Sequence, residues 1–272
     1  MPIVIALFVL FELSLLFAVT DLKIWATIGN PNASFALWTE LLGTLVAPFV
    51  FVLSGFIFVI YYKSLQNDAN EKSKYKKEIF LGYFFAIVGF GYTLTVFLKL
   101  KNIFAICASV LFVGFLFYFA SIYIKKLTPE NLFATYCVAV TAVIYCISVL
   151  LIICIIKTFW GRVRPRDMQN LSEFSPWFLP QGITGNHSFP SGHTSNATVL
   201  AVITMFAPLT EKKWKKFSLY AISAIWIVFM AITRIVCGAH FASDTLFAIA
   251  ISLTLLQVSK NLSGRFISKN LA

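Results

Sequence analysis

Three short segments of this 272-residue chain hold the residues best able to do chemistry. In the first, six residues separate Lys157 from Arg164-Pro165. The second is Pro190-Ser191-Gly192-His193, and the third places Arg234, His240 and Asp244 with five and then three residues between them. Each lies at the edge of a long apolar stretch. Ionisable groups are costly in hydrocarbon, so their gathering at the ends of membrane helices reads as a functional site.

The residue types suit a reacting phosphate. Lys157, Arg164 and Arg234 supply fixed positive charge, which stabilises the negative charge spread over a phosphoryl group in transit. Arginine adds planar, bidentate hydrogen bonding. Ser191 and Gly192 stand where the chain enters a helix; glycine admits close backbone approach, and unpaired N–H groups at a helix start face an anion. Four residues apart, His240 and Asp244 share one helix face if the last helix starts near Ala239. A carboxylate on one ring nitrogen fixes the tautomer and frees the other nitrogen as a nucleophile. His193 then protonates the departing oxygen. A covalent phosphohistidine route follows.

Two-metal hydrolases need several carboxylates to hold their ions. The carboxylates expected on the same side, Asp21, Glu40, Asp167, Glu173 and Asp244, are scattered along the sequence, so catalysis without metal or cofactor is expected. Arg162 and Arg166 flank Arg164 as two further cations. They either meet lipid headgroups at the interface or give a contact to a second phosphate. His187 reads as a hydrogen-bonded loop histidine, with assistance to substrate binding as the alternative. The five cysteines lie in or beside apolar segments without a CxxC pair and read as small buried hydrophobes.

The elements that must position these residues are membrane helices. Hydrophobic residues make up 59% of the chain and charged residues 12%, at a mean hydropathy of +0.85, which excludes an ordinary soluble domain. Eight apolar runs are long enough to consider as spans: roughly 2–20, 43–62, 79–98, 103–124, 131–156, 194–209, 217–235 and 241–258. They are continuously apolar instead of alternating, which favours an all-α transmembrane bundle over a barrel. The net charge of +11 does not point to nucleic acid, because the lysines sit in short clusters between apolar runs. With a cytoplasmic N-terminus, fourteen cations fall inside, among them Lys63, Lys72, Lys74, Lys76, Lys77 and Lys212, Lys213, Lys215, Lys216. Outside the motif segments, Lys23, Lys99 and Lys101 face the other way. Both termini are therefore expected in the cytoplasm and all three motifs on the extracytoplasmic side of the cell membrane. The expected division is four N-terminal helices over 1–130, a catalytic core over 131–258 and a cytoplasmic tail over 259–272.

Lys157-x6-Arg164-Pro165, Pro190-Ser191-Gly192-His193 and Arg234-x5-His240-x3-Asp244 resemble the three signature motifs of the type 2 phosphatidic acid phosphatase superfamily, over roughly residues 131–258. The resemblance implies His240 as nucleophile, Asp244 as its partner and His193 as general acid, with phosphate held by Lys157, Arg164, Ser191, Gly192 and Arg234. It implies a membrane lipid substrate: undecaprenyl diphosphate, phosphatidic acid, phosphatidylglycerophosphate or a lipid A-type phosphate. The alternatives are phosphotransfer to an acceptor alcohol from the same site, or a non-catalytic lipid-binding or transport protein. Thr233 stands where the family's third motif usually has serine, and keeps the hydroxyl. Membrane members commonly have six helices, so two N-terminal helices are extra.

Overall fold

The computed structural model describes residues 2–66, 74–98 and 103–271. The loop that carries Lys72 and the hairpin that carries Lys99 and Lys101 lie outside them. Among the described residues, eight α-helices follow one another in chain order: α1 Pro2–Ile28, α2 Ser34–Ser64, α3 Lys76–Leu98, α4 Ile103–Lys125, α5 Pro129–Trp160, α6 Gly192–Thr198, α7 Lys213–Val236 and α8 Ala242–Leu271. All but α6, which takes in only the start of the sixth run, cover an expected apolar run to within a residue, and no strand occurs among the described residues. In a helix every mid-chain N–H and C=O is satisfied within the segment, which a continuous apolar run requires. Among the described residues, α2, α3, α5, α7 and α8 are long and apolar enough to cross a membrane.

Local signals set the helix limits. Thr128 precedes α5 and its hydroxyl accepts from Asn131 N at 3.3 Å, while Pro129 occupies the first helical position, where no N–H is needed. The sixth apolar run is not uniform. Only α6 is α-helical, and from Val199 to Leu209 the chain winds as a 3-10 helix that contains Pro208.

Packing groups the residues into two units. One comprises Met1–Gly43, Ser148–Ala201 and Ala221–Leu255. Within it, Asn30 N donates to Val236 O at 2.7 Å and Trp177 Nε1 to Ser14 O at 2.9 Å, so the first helix and the loop after it pack on the motif segments. Trp160 stacks on Phe189 and Trp177 meets Phe247, with ring centroids 4.5 and 4.4 Å apart. These rings brace the long loop between α5 and α6.

The other unit comprises Thr44–Ile147, Val202–Tyr220 and Leu256–Ala272. Here α2 and α3 approach through glycines. A Cβ on Gly55 would lie 2.4 Å from Gly82 O, and one on Gly89 would lie 2.6 Å from Pro48 O. Small residues let helix backbones touch, which is how helices associate where solvent gives no hydrophobic drive. Tyr136 of α5 stacks on Tyr61 at 4.2 Å and shares a 2.7 Å hydrogen bond with the Tyr62 hydroxyl. Thr141 and Ser263 pair at 2.7 Å between α5 and α8.

Candidate active site

All three motif segments fall in the first unit. The first begins in the last turn of α5, where Lys157 sends its Nζ to the backbone oxygen of His187. Gly161 ends that helix at φ +63°, and a Cβ there would sit 2.1 Å from Gly182 O. The chain can reverse at that point only without a side chain. Arg164 then caps a short 3-10 turn, Pro165–Asp167, whose fixed proline φ starts the turn.

The five-residue spacing of the third motif has a specific cause. Gly238, at φ +65°, follows the end of α7; its N–H donates to Ile235 O at 3.0 Å, and Ala239 N donates to Arg234 O at 3.1 Å. This is the Schellman arrangement of a helix C-terminus. His240 N also reaches Arg234 O, at 3.2 Å. The fold-back thus ties the backbone of the histidine to that of the arginine. The three-residue spacing that follows is an N-terminal cap: Asp244 Oδ2 accepts from Phe241 N at 2.9 Å, one half of a capping box.

The second motif caps α6. Ser191 is its N-cap, and its hydroxyl accepts from Thr194 Oγ1 at 2.9 Å and Thr194 N at 3.3 Å, keeping its own proton free to donate. Ser191 N donates to Asp244 O at 3.0 Å, which joins the second motif to the third. A Cβ on Gly192 would meet Lys157 Cε at 3.3 Å, so glycine leaves the lysine room to pass.

His240 is buried, and its Nδ1 lies 2.7 Å from Ser188 O. A carbonyl can only accept, so Nδ1 carries the proton and Nε2 keeps its lone pair. Asp244 was expected to hold the ring directly; its Oδ2 lies 3.8 Å from Nδ1, beyond hydrogen-bond distance. The carboxylate is drawn away by Phe241 N and by the Ser188 hydroxyl, which donates to Oδ2 at 2.6 Å. Ser188 therefore orients the histidine with its carbonyl and the carboxylate with its hydroxyl. No sequence signal singled it out, because a backbone carbonyl is available on any residue.

The cations gather round the histidines. His193 lies within electrostatic range of Arg234, Lys157 and Arg164, and His240 within range of Lys157 and His193. Burial, then Arg234, holds His193 down to about 4; burial holds His240 down to about 3, against the partial support of Asp244. Both rings are neutral at pH 7. Among the described residues, Nε of Arg164 and Nε of Arg234 are buried without a hydrogen-bond partner. Two unpaired guanidinium donors near His193 form a site suited to an anion with several oxygens.

A family model, the PAP2 superfamily, matches residues 133–267. Through this segment the chain belongs to the PAP2 superfamily. No curated protein and no solved structure gives a significant match. Members of the PAP2 superfamily are phosphatases acting on phosphate esters.

Two flanking arginines and two distant carboxylates lie on or beside the motif segments of this PAP2 match. Arg162 does not face a headgroup or a second phosphate. It is buried, with Nη1 2.6 Å from Asp244 Oδ1, Nη2 2.9 Å from Asp21 Oδ2 and Nε 2.8 Å from Ser175 O. Its guanidinium also lies 4.1 Å from the centroid of the Phe241 ring. Arg166 is partly exposed, with Nε 3.8 Å from Asp167, and remains available to solvent and ligand. Arg234 is fully buried and meets Glu40 Oε2 at 3.1 Å, Thr39 Oγ1 at 3.0 Å and the carbonyl of Ala36. Asp21 and Glu40, far apart in sequence from the motifs, thus reach them from α1 and α2, outside the matched segment.

Proposed function

We propose that this PAP2 protein is a membrane phosphatase that hydrolyses a lipid phosphate or diphosphate at the extracytoplasmic face through a phosphohistidine. The observation that carries this reading is the His240 tautomer. Its Nδ1 proton is held by Ser188 O, which leaves Nε2 as a nucleophile, and Arg164 and Arg234 each keep an unpaired donor near His193.

In the first step His240 Nε2 bonds to phosphorus and the bond to the lipid oxygen breaks. Lys157, Arg164 and Arg234 offset the charge on the transferring oxygens. His193 gives the departing oxygen its proton. A neutral His193 gains that proton when substrate arrives: burial and then the field of Arg234, Lys157 and Arg164 hold the ring deprotonated, and a dianionic phosphate offsets that field. Water then attacks phosphorus, His193 takes its proton, and the phosphorus–nitrogen bond breaks to release phosphate. Asp21 and Asp244 are bonded to Arg162, and Glu40 to Arg234, which supports catalysis without a metal. For a diphosphate such as undecaprenyl diphosphate, Arg166 is the flanking cation free to meet the second phosphate.

The test is phosphate release by purified protein from a panel that includes a polyprenyl diphosphate and phosphatidic acid. His240→Ala is expected to lower turnover by about 10³-fold or more, as for loss of a nucleophile in a coupled site. Activity should survive chelator. Arg166→Ala should reduce kcat/KM on the diphosphate selectively, by roughly tenfold or more for one charge-assisted hydrogen bond. Release that needs an added divalent ion, or survives His240→Ala, would reject the mechanism; equal Arg166→Ala losses on both lipids would reject the diphosphate assignment.

A further inference from the structure

Three charged side chains form a buried line at the start of α8. Asp21 and Arg162 are each 1% exposed and Asp244 is fully buried. Asp21 Oδ2 lies 2.9 Å from Arg162 Nη2, and Arg162 Nη1 lies 2.6 Å from Asp244 Oδ1. Asp21 also accepts from Ser243 N at 2.9 Å and from the Ser243 hydroxyl, in the first turn of α8. It thereby caps, from another helix, the turn that carries Asp244.

We propose that Asp21 is a positioning residue of the reaction: it balances the charge of Arg162, so that Asp244 keeps its negative charge for His240. The proposal rests on the phosphohistidine reading above. When Nε2 of His240 bonds to phosphorus, the ring keeps its Nδ1 proton and becomes positive. A carboxylate 3.8 Å away stabilises that charge. An arginine bonded to the same carboxylate cancels it, and in a dry interior little solvent restores the field. Asp21, on the far side of the guanidinium, cancels the arginine in turn. The line carries one net negative charge, and that charge faces the nucleophile. Asp21 lies outside the 133–267 segment that carries the PAP2 motifs, so α1 supplies part of the catalytic centre.

The experiment compares full-length wild type, Asp21→Asn, Arg162→Gln, the double variant and His240→Ala, each purified in the same detergent, with phosphatidic acid as substrate. Asp21→Asn preserves shape but removes the charge. It is expected to lower kcat by about 10- to 100-fold, the scale on which partners of functional side chains act, with KM little changed. Arg162→Gln leaves two buried carboxylates without their shared cation. The double variant removes a charge together with its counter-charge, so its turnover should exceed that of the poorer single variant. A residue needed only for packing predicts the opposite, the double variant being the worst of the three. Wild-type turnover in Asp21→Asn, or a double variant below both singles, overturns the proposal. Should Asp21→Asn not accumulate as folded protein, a double variant that folds and outperforms Arg162→Gln supports charge balance; one that does not overturns it. His240→Ala separates the two levels: if it retains activity, the phosphohistidine reading fails, whereas a dead His240→Ala beside an unaffected Asp21→Asn rejects only the role of Asp21.

Discussion

His193 and His240 are both buried and both held neutral, and this has a consequence for stability as well as for catalysis. Their folded-state pKa values, about 4 and about 3, lie below the ordinary 6.5 of an exposed histidine. A group with a depressed folded pKa stabilises the fold fully above its unfolded value, and that contribution is lost as pH falls towards the folded value. The melting temperature in detergent is therefore expected to change little from these groups above pH 6.5 and to fall between pH 6.5 and about 3. Replacing both histidines by asparagine should flatten that window. An equally steep fall in the double variant would assign it to other groups. The same neutrality suits the reaction, since a nucleophile with a free lone pair is present at neutral pH without prior deprotonation.

At the scale of elements, the catalytic spacings are consequences of how helices end. Arg234 and His240 are joined by a Schellman turn at Gly238, and His240 and Asp244 by the N-terminal cap of α8. The geometry of these turns fixes where the side chains emerge. A Cβ at Gly238 would lie 2.9 Å from Trp25 Nε1 and 3.0 Å from Arg166 Cβ, at a φ of +65° that side chains rarely adopt. Gly238→Ala should therefore destabilise the protein by about 1–3 kcal/mol, and kcat should drop with it, because the turn shifts both Arg234 and His240. Thermal unfolding and steady-state kinetics on one preparation check this. Loss of stability with unchanged kcat would show that the turn holds the fold but not the chemistry. The glycines between α2 and α3 act differently: they permit close helix packing within the other unit and touch no catalytic group.

At the scale of the whole molecule, the net charge of +11 is distributed for orientation. Lysines collect in segments such as 210–216, and the positive-inside rule assigns these to the cytoplasm. On that assignment the motif segments are expected on the extracytoplasmic side. Single cysteines at Lys213 and Ser172, both exposed, test this in a cysteine-free background with an impermeant thiol reagent on intact cells. Labelling is expected at position 172 and not at 213. The reverse pattern would place the site in the cytoplasm and change the class of lipid pool it meets.

The sequence by itself determined the helices, their number and the three motifs. Apolar runs in hydrocarbon have one way to satisfy their backbone, and motif spacing is local, so turns and caps encode it within a few residues. The family match over 133–267 agrees with that reading. What the tertiary structure decided was which charges meet. Asp21, Glu40 and Asp244 read as scattered carboxylates; folding pairs Asp21 and Asp244 through Arg162, 141 residues from the first and 82 from the second, and sets Glu40 on Arg234. Arg162 read as a free cation beside Arg164, yet it is the most enclosed of the first motif's arginines. Asp244 read as the direct partner of His240, yet the Ser188 carbonyl holds the ring. Pairing of charges across such distances depends on helix packing and on the loss of water around the groups, and neither is a property of neighbouring residues in a chain.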